Sequence, residues 1–343
     1  MLKRLAGCLV ASSLFSRASA ALVAYGVPLP VRLAAYAVMT LVPLVLSMWI
    51  WQESLLYMPS VPNPQDPLFG NALRTPAEGP AGYRSPSERG LAFEDVRLVA
   101  SDGVKCHAWF LPAANKSSAF TLLFSHENAG SMALRLPQLE LLHKNLGCNI
   151  LAYDYRGYGL SDSVVIDEEG LMRDAHAAWR WLTQTAEVDT SRIVLYGASL
   201  GGAVTIQLAR DLCDAALPAA PLPLGVVVCN TFTDIEGMLT AKYAWLDWPI
   251  VRRHMLRLRW KSIEHVAHVA LPLLLIVGAK DELVPPAHTR LLERAAVASP
   301  KVSTREVADG MHNDTWLKAG DSYVAWLKEF VVEAEAARDK KVG

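Results

Sequence analysis

Five short apolar runs, FTLLFS (120–125), NILAYD (149–154), IVLYG (193–197), LGVVVCN (224–230) and LLLIVG (273–278), alternate with stretches of helical spacing, and this alternation constrains the chain more than any other feature. Runs this short, apolar on both faces and bounded by turn residues, suit strands buried inside a parallel sheet. Helical patterns over 134–145, 168–183, 200–212 and 286–298 supply the crossovers. Upstream, 93–100 and 104–111 flank the turn Ser101-Asp102-Gly103 and read as a hairpin, and 302–307 is a last strand candidate. The expected fold class is α/β, a mostly parallel doubly wound sheet, with functional groups gathered at the carboxyl ends of its strands.

Gly197-Ala198-Ser199-Leu200-Gly201 follows the run IVLYG and opens a helical pattern. Small residues there permit a tight strand-to-helix turn that exposes a serine hydroxyl, while the helix start offers unpaired N–H groups to developing negative charge. Serine needs a histidine to take its proton and a carboxylate to orient that histidine. Asp281 lies just past the run LLLIVG, and His312 in the loop after 302–307. The expected catalytic set is Ser199, Asp281 and His312, with Asp234 as the rival acid. For the oxyanion hole the expected donors are the backbone N–H groups of Leu200 and of Asn128, in the loop Ser125-His126-Glu127-Asn128-Ala129-Gly130; His126 reads as a brace for that loop.

The 343 residues exceed one such domain, and 52% are hydrophobic, high for an enzyme wholly in water. An uncharged apolar run from Leu33 to Trp51 approaches the roughly 20 residues that span a bilayer. The expected organisation is an amino-terminal segment, 1–52, with a signal-anchor helix over about 33–51; a proline-rich linker, 53–90; and a catalytic domain, 91–335, with a lid-like insertion at 231–271. Lys3, Arg4, Arg17 and Arg32 precede the run, so the positive-inside bias predicts a single-pass membrane protein with a cytosolic amino terminus. Asn115-Lys116-Ser117 is a sequon usable on a lumenal domain, whereas a glycan on Asn313 would crowd His312. The net charge of −1 with mixed signs excludes a nucleic-acid partner, and five scattered cysteines fit neither a zinc site nor a disulfide scaffold.

LLYMPSVP, HENAG, DYRGYGLS, GASLGGAV, NTFTDI, DELVPP and GMHNDTW stand in that order, and together they resemble the α/β-hydrolase domain-containing protein 13 group, the bud-emergence-46-like proteins. The resemblance covers roughly residues 50–330. It implies an α/β-hydrolase fold, a single-pass anchor, the triad Ser199, Asp281 and His312, and hydrolysis of an ester, thioester or amide with no metal or organic cofactor. One departure stands out: relatives carry Gly before the Asn of HENAG, where this chain has Glu127.

The function expected is a membrane-anchored serine hydrolase acting on carboxyl esters or acyl thioesters, with lipids or lipidated proteins as substrates, in the manner of an acyl-protein thioesterase. The insertion's Tyr243, Trp245, Trp248 and Trp260, with Arg252, Arg253, Arg257, Arg259 and Lys261, suits a lid over an acyl chain or, more blandly, packing beneath a solvated basic face. A serine peptidase or amidase would use the same triad. A non-catalytic membrane scaffold on a hydrolase fold is the reading that Glu127 favours.

Overall fold

The computed structural model describes residues 16–17, 20–62, 72–184, 187–215, 221–242 and 256–342. The chain divides into two compact units, Met1–Gln52 and Glu53–Gly343.

In the smaller unit, helix α1 (Leu29–Ile50) begins at a proline-bearing first turn and keeps Pro43 inside it. Leu33, Val38, Leu41, Val42, Trp49 and Ile50 are exposed. Among the described residues, no helix is long and apolar enough to cross a membrane. Helix α1 contains the uncharged run expected to span, from Leu33 to Ile50, and begins four residues ahead of it, taking in Arg32 near its start.

The larger unit is built on an eight-stranded sheet: β1 (Glu94–Val99), β2 (Lys105–Leu111), β3 (Thr121–Ser125), β4 (Asn149–Tyr153), β5 (Ile193–Ala198), β6 (Gly225–Cys229), β7 (Leu273–Gly278) and β8 (Val302–Val307), in the order β1-β2-β4-β3-β5-β6-β7-β8. β1 and β2 form the antiparallel hairpin, β2 joins β4 antiparallel, and every other pairing is parallel. Successive strand residues alternate between two cores, as a period of two demands. Leu123, Leu151, Leu195, Val226, Val228 and Leu275 meet helices α3 (Glu168–Gln184), α4 (Leu200–Asp214) and α5 (Ala287–Ala295) through such residues as Leu171, Val204 and Leu292. Leu122, Phe124, Ile150, Val194, Val227 and Ile276 face α2 (Leu136–Leu146) and α6 (Asp321–Val342) through Leu139, Leu142, Tyr323 and Leu327. Both faces being covered is why these strands read as unbroken apolar runs.

The described parts of 53–90 run against this domain despite their prolines. Tyr57 is 3% exposed, and Met58 pairs with the loop after β3: its N–H donates to the Asn128 carbonyl at 3.0 Å and its carbonyl accepts from the Gly130 N–H at 2.8 Å. Cys106, Cys148, Cys213 and Cys229 are free thiols.

Candidate active site

The topology sets the site at the carboxyl edge of β3, β5, β6 and β7. Ser199 links β5 to α4 with φ 52° and ψ −119°, a strained conformation for a residue with a side chain. The turn is possible only because of its glycines: a Cβ on Gly197 would lie 2.1 Å from the Gly201 carbonyl, and one on Gly201 would lie 2.1 Å from that of Ser125. The close approach of the second brings the start of α4 against the loop after β3.

The structure brings Ser199, His312 and Asp281 together from positions up to 113 residues apart. His312 Nε2 lies 3.0 Å from Ser199 Oγ. Its Nδ1 lies 2.8 Å from Asp281 Oδ2 and 3.0 Å from Oδ1. All three residues are buried, at 7–9% exposure, so their interactions are little screened by water. The Asp281 carboxylate is held in turn, with Oδ1 accepting from the N–H groups of Leu283 (2.9 Å) and Val284 (2.7 Å). Glu282, which the sequence did not single out, accepts from the His312 N–H at 3.1 Å. Asp234 is elsewhere engaged: its Oδ1 accepts from the Gly237 N–H at 2.5 Å and caps the helix Ile235–Lys242.

Leu200 is the first residue of α4, so its N–H has no carbonyl behind it within the helix and is available beside Ser199. Asn128 is fixed through its other polar groups. Its carbonyl accepts from Met58 N–H and, at 2.8 Å, from the Tyr158 hydroxyl, and its Nδ2 donates to the Leu56 carbonyl at 2.8 Å. Glu127 does not strain this loop: the residues at positive φ, glycines apart, are Ser199, Asn230 and Trp260 among those described, and the left-handed position here is Gly130 (φ 69°). The Glu127 carboxylate pairs with Arg135. His126 is fully buried, its ring 4.3 Å from that of Tyr155, its Nδ1 bonded to the Glu127 carbonyl at 2.6 Å and its own carbonyl accepting from the Tyr155 hydroxyl. Burial holds its pKa below the ordinary histidine value, and the neutral ring braces the loop.

Of the insertion 231–271, Tyr243, Trp245, Trp248, Arg252 and Arg253 lie outside the described residues. Trp260 is a core residue, wholly buried at φ 42°, with Nε1 donating to the Tyr57 hydroxyl at 3.0 Å. Arg257 pairs with Glu53 at 2.5 Å and Lys261 with Glu264 at 2.7 Å.

Residues 167–318 match the prolyl oligopeptidase family. The chain is 35% identical over 283 residues to the alpha/beta hydrolase domain-containing protein WAV2 of Arabidopsis thaliana, spanning 80% of this chain and 85% of that protein. It is 31% identical over 271 residues to bem46 of Schizosaccharomyces pombe, covering 77% and 86%. An uncharacterized membrane protein of Saccharomyces cerevisiae matches at 31% over 256 residues, covering 73% and 83%. Among solved structures, the Pyrococcus furiosus esterase Pf2001 superposes with a TM-score of 0.57 over 73% of this chain and 95% of its own, at 21% identity, a likeness of fold.

Proposed function

We propose, from the premise that this chain belongs to the α/β-hydrolase domain-containing protein family of bem46 and WAV2, that it is a serine hydrolase cleaving carboxyl esters or acyl thioesters with Ser199 as nucleophile. The observation that carries the reading is the unbroken chain of contacts, 2.8 Å from Asp281 to His312 and 3.0 Å from His312 to Ser199, in a buried site. With Nδ1–H donated to Asp281, His312 presents an unprotonated Nε2 that takes the Ser199 proton as Oγ attacks the acyl carbon. The oxyanion then accepts from the N–H groups of Leu200 and Asn128. His312 returns the proton to the departing alcohol or thiol, and the acyl-Ser199 ester is cleared by a water that His312 deprotonates.

The exposed apolar residues of α1 support attachment of the amino-terminal segment to a membrane surface, with lipid or lipidated-protein esters as the substrates within reach. The yeast relative described as a membrane protein points the same way. Amide or peptide cleavage is the second reading, favoured by the match to the prolyl oligopeptidase family over 167–318. The scaffold reading loses its motive, since Glu127 occupies its loop without positive φ.

A panel of p-nitrophenyl acyl esters, acyl thioesters and peptide p-nitroanilides, turned over by the full-length protein in detergent, tests the proposal. Turnover of esters and thioesters that disappears in His312→Ala is expected; turnover of the anilides alone would transfer the assignment to a peptidase.

A further inference from the structure

We infer that Asn230 and Thr231, the two residues that leave β6, are positioning residues that hold the Ser199 turn, the end of the Asp281 strand and the His312 loop in one register. The inference rests on the hydrolase reading for its meaning, yet it arises from different contacts. β6 lies between β5, which delivers Ser199, and β7, which ends at Gly278 before Asp281. Whatever emerges from β6 is therefore flanked by the nucleophile and by the acid.

The Asn230 side chain uses both ends of its amide. Oδ1 accepts from the Gly278 N–H at 2.8 Å. Nδ2 donates to the carbonyl of His312 itself at 2.8 Å and to Thr315 Oγ1 at 2.9 Å, with a longer contact to the Met311 carbonyl at 3.2 Å. Thr315 in turn donates to that Met311 carbonyl at 2.6 Å, closing the loop around His312. The amide orientation is unambiguous, since an N–H lies on one side and carbonyls on the other. Thr231 completes the brace toward the nucleophile: its Oγ1 donates to the Ser199 carbonyl at 2.8 Å.

Asn230 adopts φ 49°, the left-handed region that asparagine tolerates best among residues with side chains. Both residues are buried, at 2% exposure each, so a lost partner is not replaced freely by water. Glycine at 230 would fit the backbone but hold nothing, and aspartate would turn an anion toward two carbonyl oxygens. Only an amide serves donor and acceptor from that position.

The test uses the full-length protein in detergent, with p-nitrophenyl butyrate turnover and the low-field proton of the His312–Asp281 hydrogen bond in histidine-labelled protein as independent readouts. Asn230→Gly is expected to lower kcat roughly 10- to 100-fold with KM within about twofold, and to lose the low-field proton, because a base displaced by a fraction of an ångström no longer aligns with Ser199. Thr231→Val is expected to lower kcat by a smaller factor, and Thr231→Ser, which keeps the hydroxyl, to regain most of it. Should Asn230→Gly not fold, the Thr231 pair decides alone. Asn230→Gly and Thr231→Val that both keep wild-type kcat and the low-field proton would overturn the inference while leaving the hydrolase reading intact. A wild type that turns over no ester, yet loses the low-field proton in Asn230→Gly, sinks the ester-hydrolase reading and upholds the brace.

Discussion

Asp281→Asn separates orientation from charge at the base. In the wild type, Asp281 Oδ1 accepts from the N–H groups of Leu283 and Val284 at 2.9 and 2.7 Å, and Oδ2 lies 2.8 Å from His312 Nδ1. An amide of the same shape keeps its oxygen on the two backbone donors, which puts its NH2 at the nearer position, 2.8 Å from Nδ1, while the oxygen, 3.0 Å away, already holds two donors. Two donors cannot share that contact, so His312 carries its proton on Nε2 and donates to Ser199 instead of accepting from it. Flipping the amide restores the tautomer but turns the NH2 against two backbone N–H groups, costing about 2–4 kcal/mol, or roughly 30- to 1000-fold in population. Loss of the negative charge that stabilises the imidazolium adds to this, so kcat is expected to fall about 10³- to 10⁴-fold. The assay is p-nitrophenyl butyrate turnover beside thermal unfolding, with the melting temperature expected to move little because the shape is retained. Asp234→Ala, which only uncaps the helix Ile235–Lys242, should keep kcat/KM within about threefold while lowering stability by about 1 kcal/mol. If Asp281→Asn keeps more than about a tenth of the activity, or Asp234→Ala is the variant that collapses, the tautomer argument fails.

Ser199→Gly should abolish turnover yet raise stability by up to about 1 kcal/mol in urea unfolding, since glycine relaxes φ 52° and ψ −119°; a less stable variant would contradict the strain. Arg156 bonds the fully buried Asp174 at 2.8 Å and Asp102 at 2.7 Å, so Arg156→Met should destabilise by about 3–5 kcal/mol and, failing that, the pair contributes little. Burial lowers the pKa of His126, His265 and His288. Their folded values lie beneath the unfolded one of about 6.5, so this contribution to stability is complete above that pH and is lost as pH falls below it. The urea midpoint should drop between pH 7.5 and 5.5, and His126→Gln should flatten that drop; an unchanged slope would exclude His126 as a source.

The parallel strands were legible because burial on both faces leaves unbroken apolar runs, and the turn at Ser199 because its glycines answer local crowding. Ser199, Asp281 and His312 could be selected because each follows a strand end, a position visible in sequence. What stayed hidden depends on contacts far along the chain. Trp260 sits among basic and aromatic neighbours that suggest a lid, but its indole is tied to Tyr57, 203 residues away. Asn230 reads as the last residue of an apolar run, while its amide bonds reach 48 and 82 residues ahead. Glu127 stood out as a departure whose effect on the loop stayed hidden, because the identity of the left-handed residue, Gly130, is a matter of backbone angles rather than of composition. The run over 33–51 was legible as a helix, but apolar length alone does not fix where a helix begins, and α1 begins early enough to include Arg32.

The central claim, an activated serine, is tested most directly by the rate at which a fluorophosphonate modifies the full-length protein, with the modified peptide located by mass spectrometry. The account predicts rapid, stoichiometric modification at Ser199, abolished in Ser199→Ala and slowed at least about 100-fold in His312→Ala, because only a hydroxyl with a base beside it reacts quickly. A folded wild type that stays unmodified, or is modified at another serine, contradicts it.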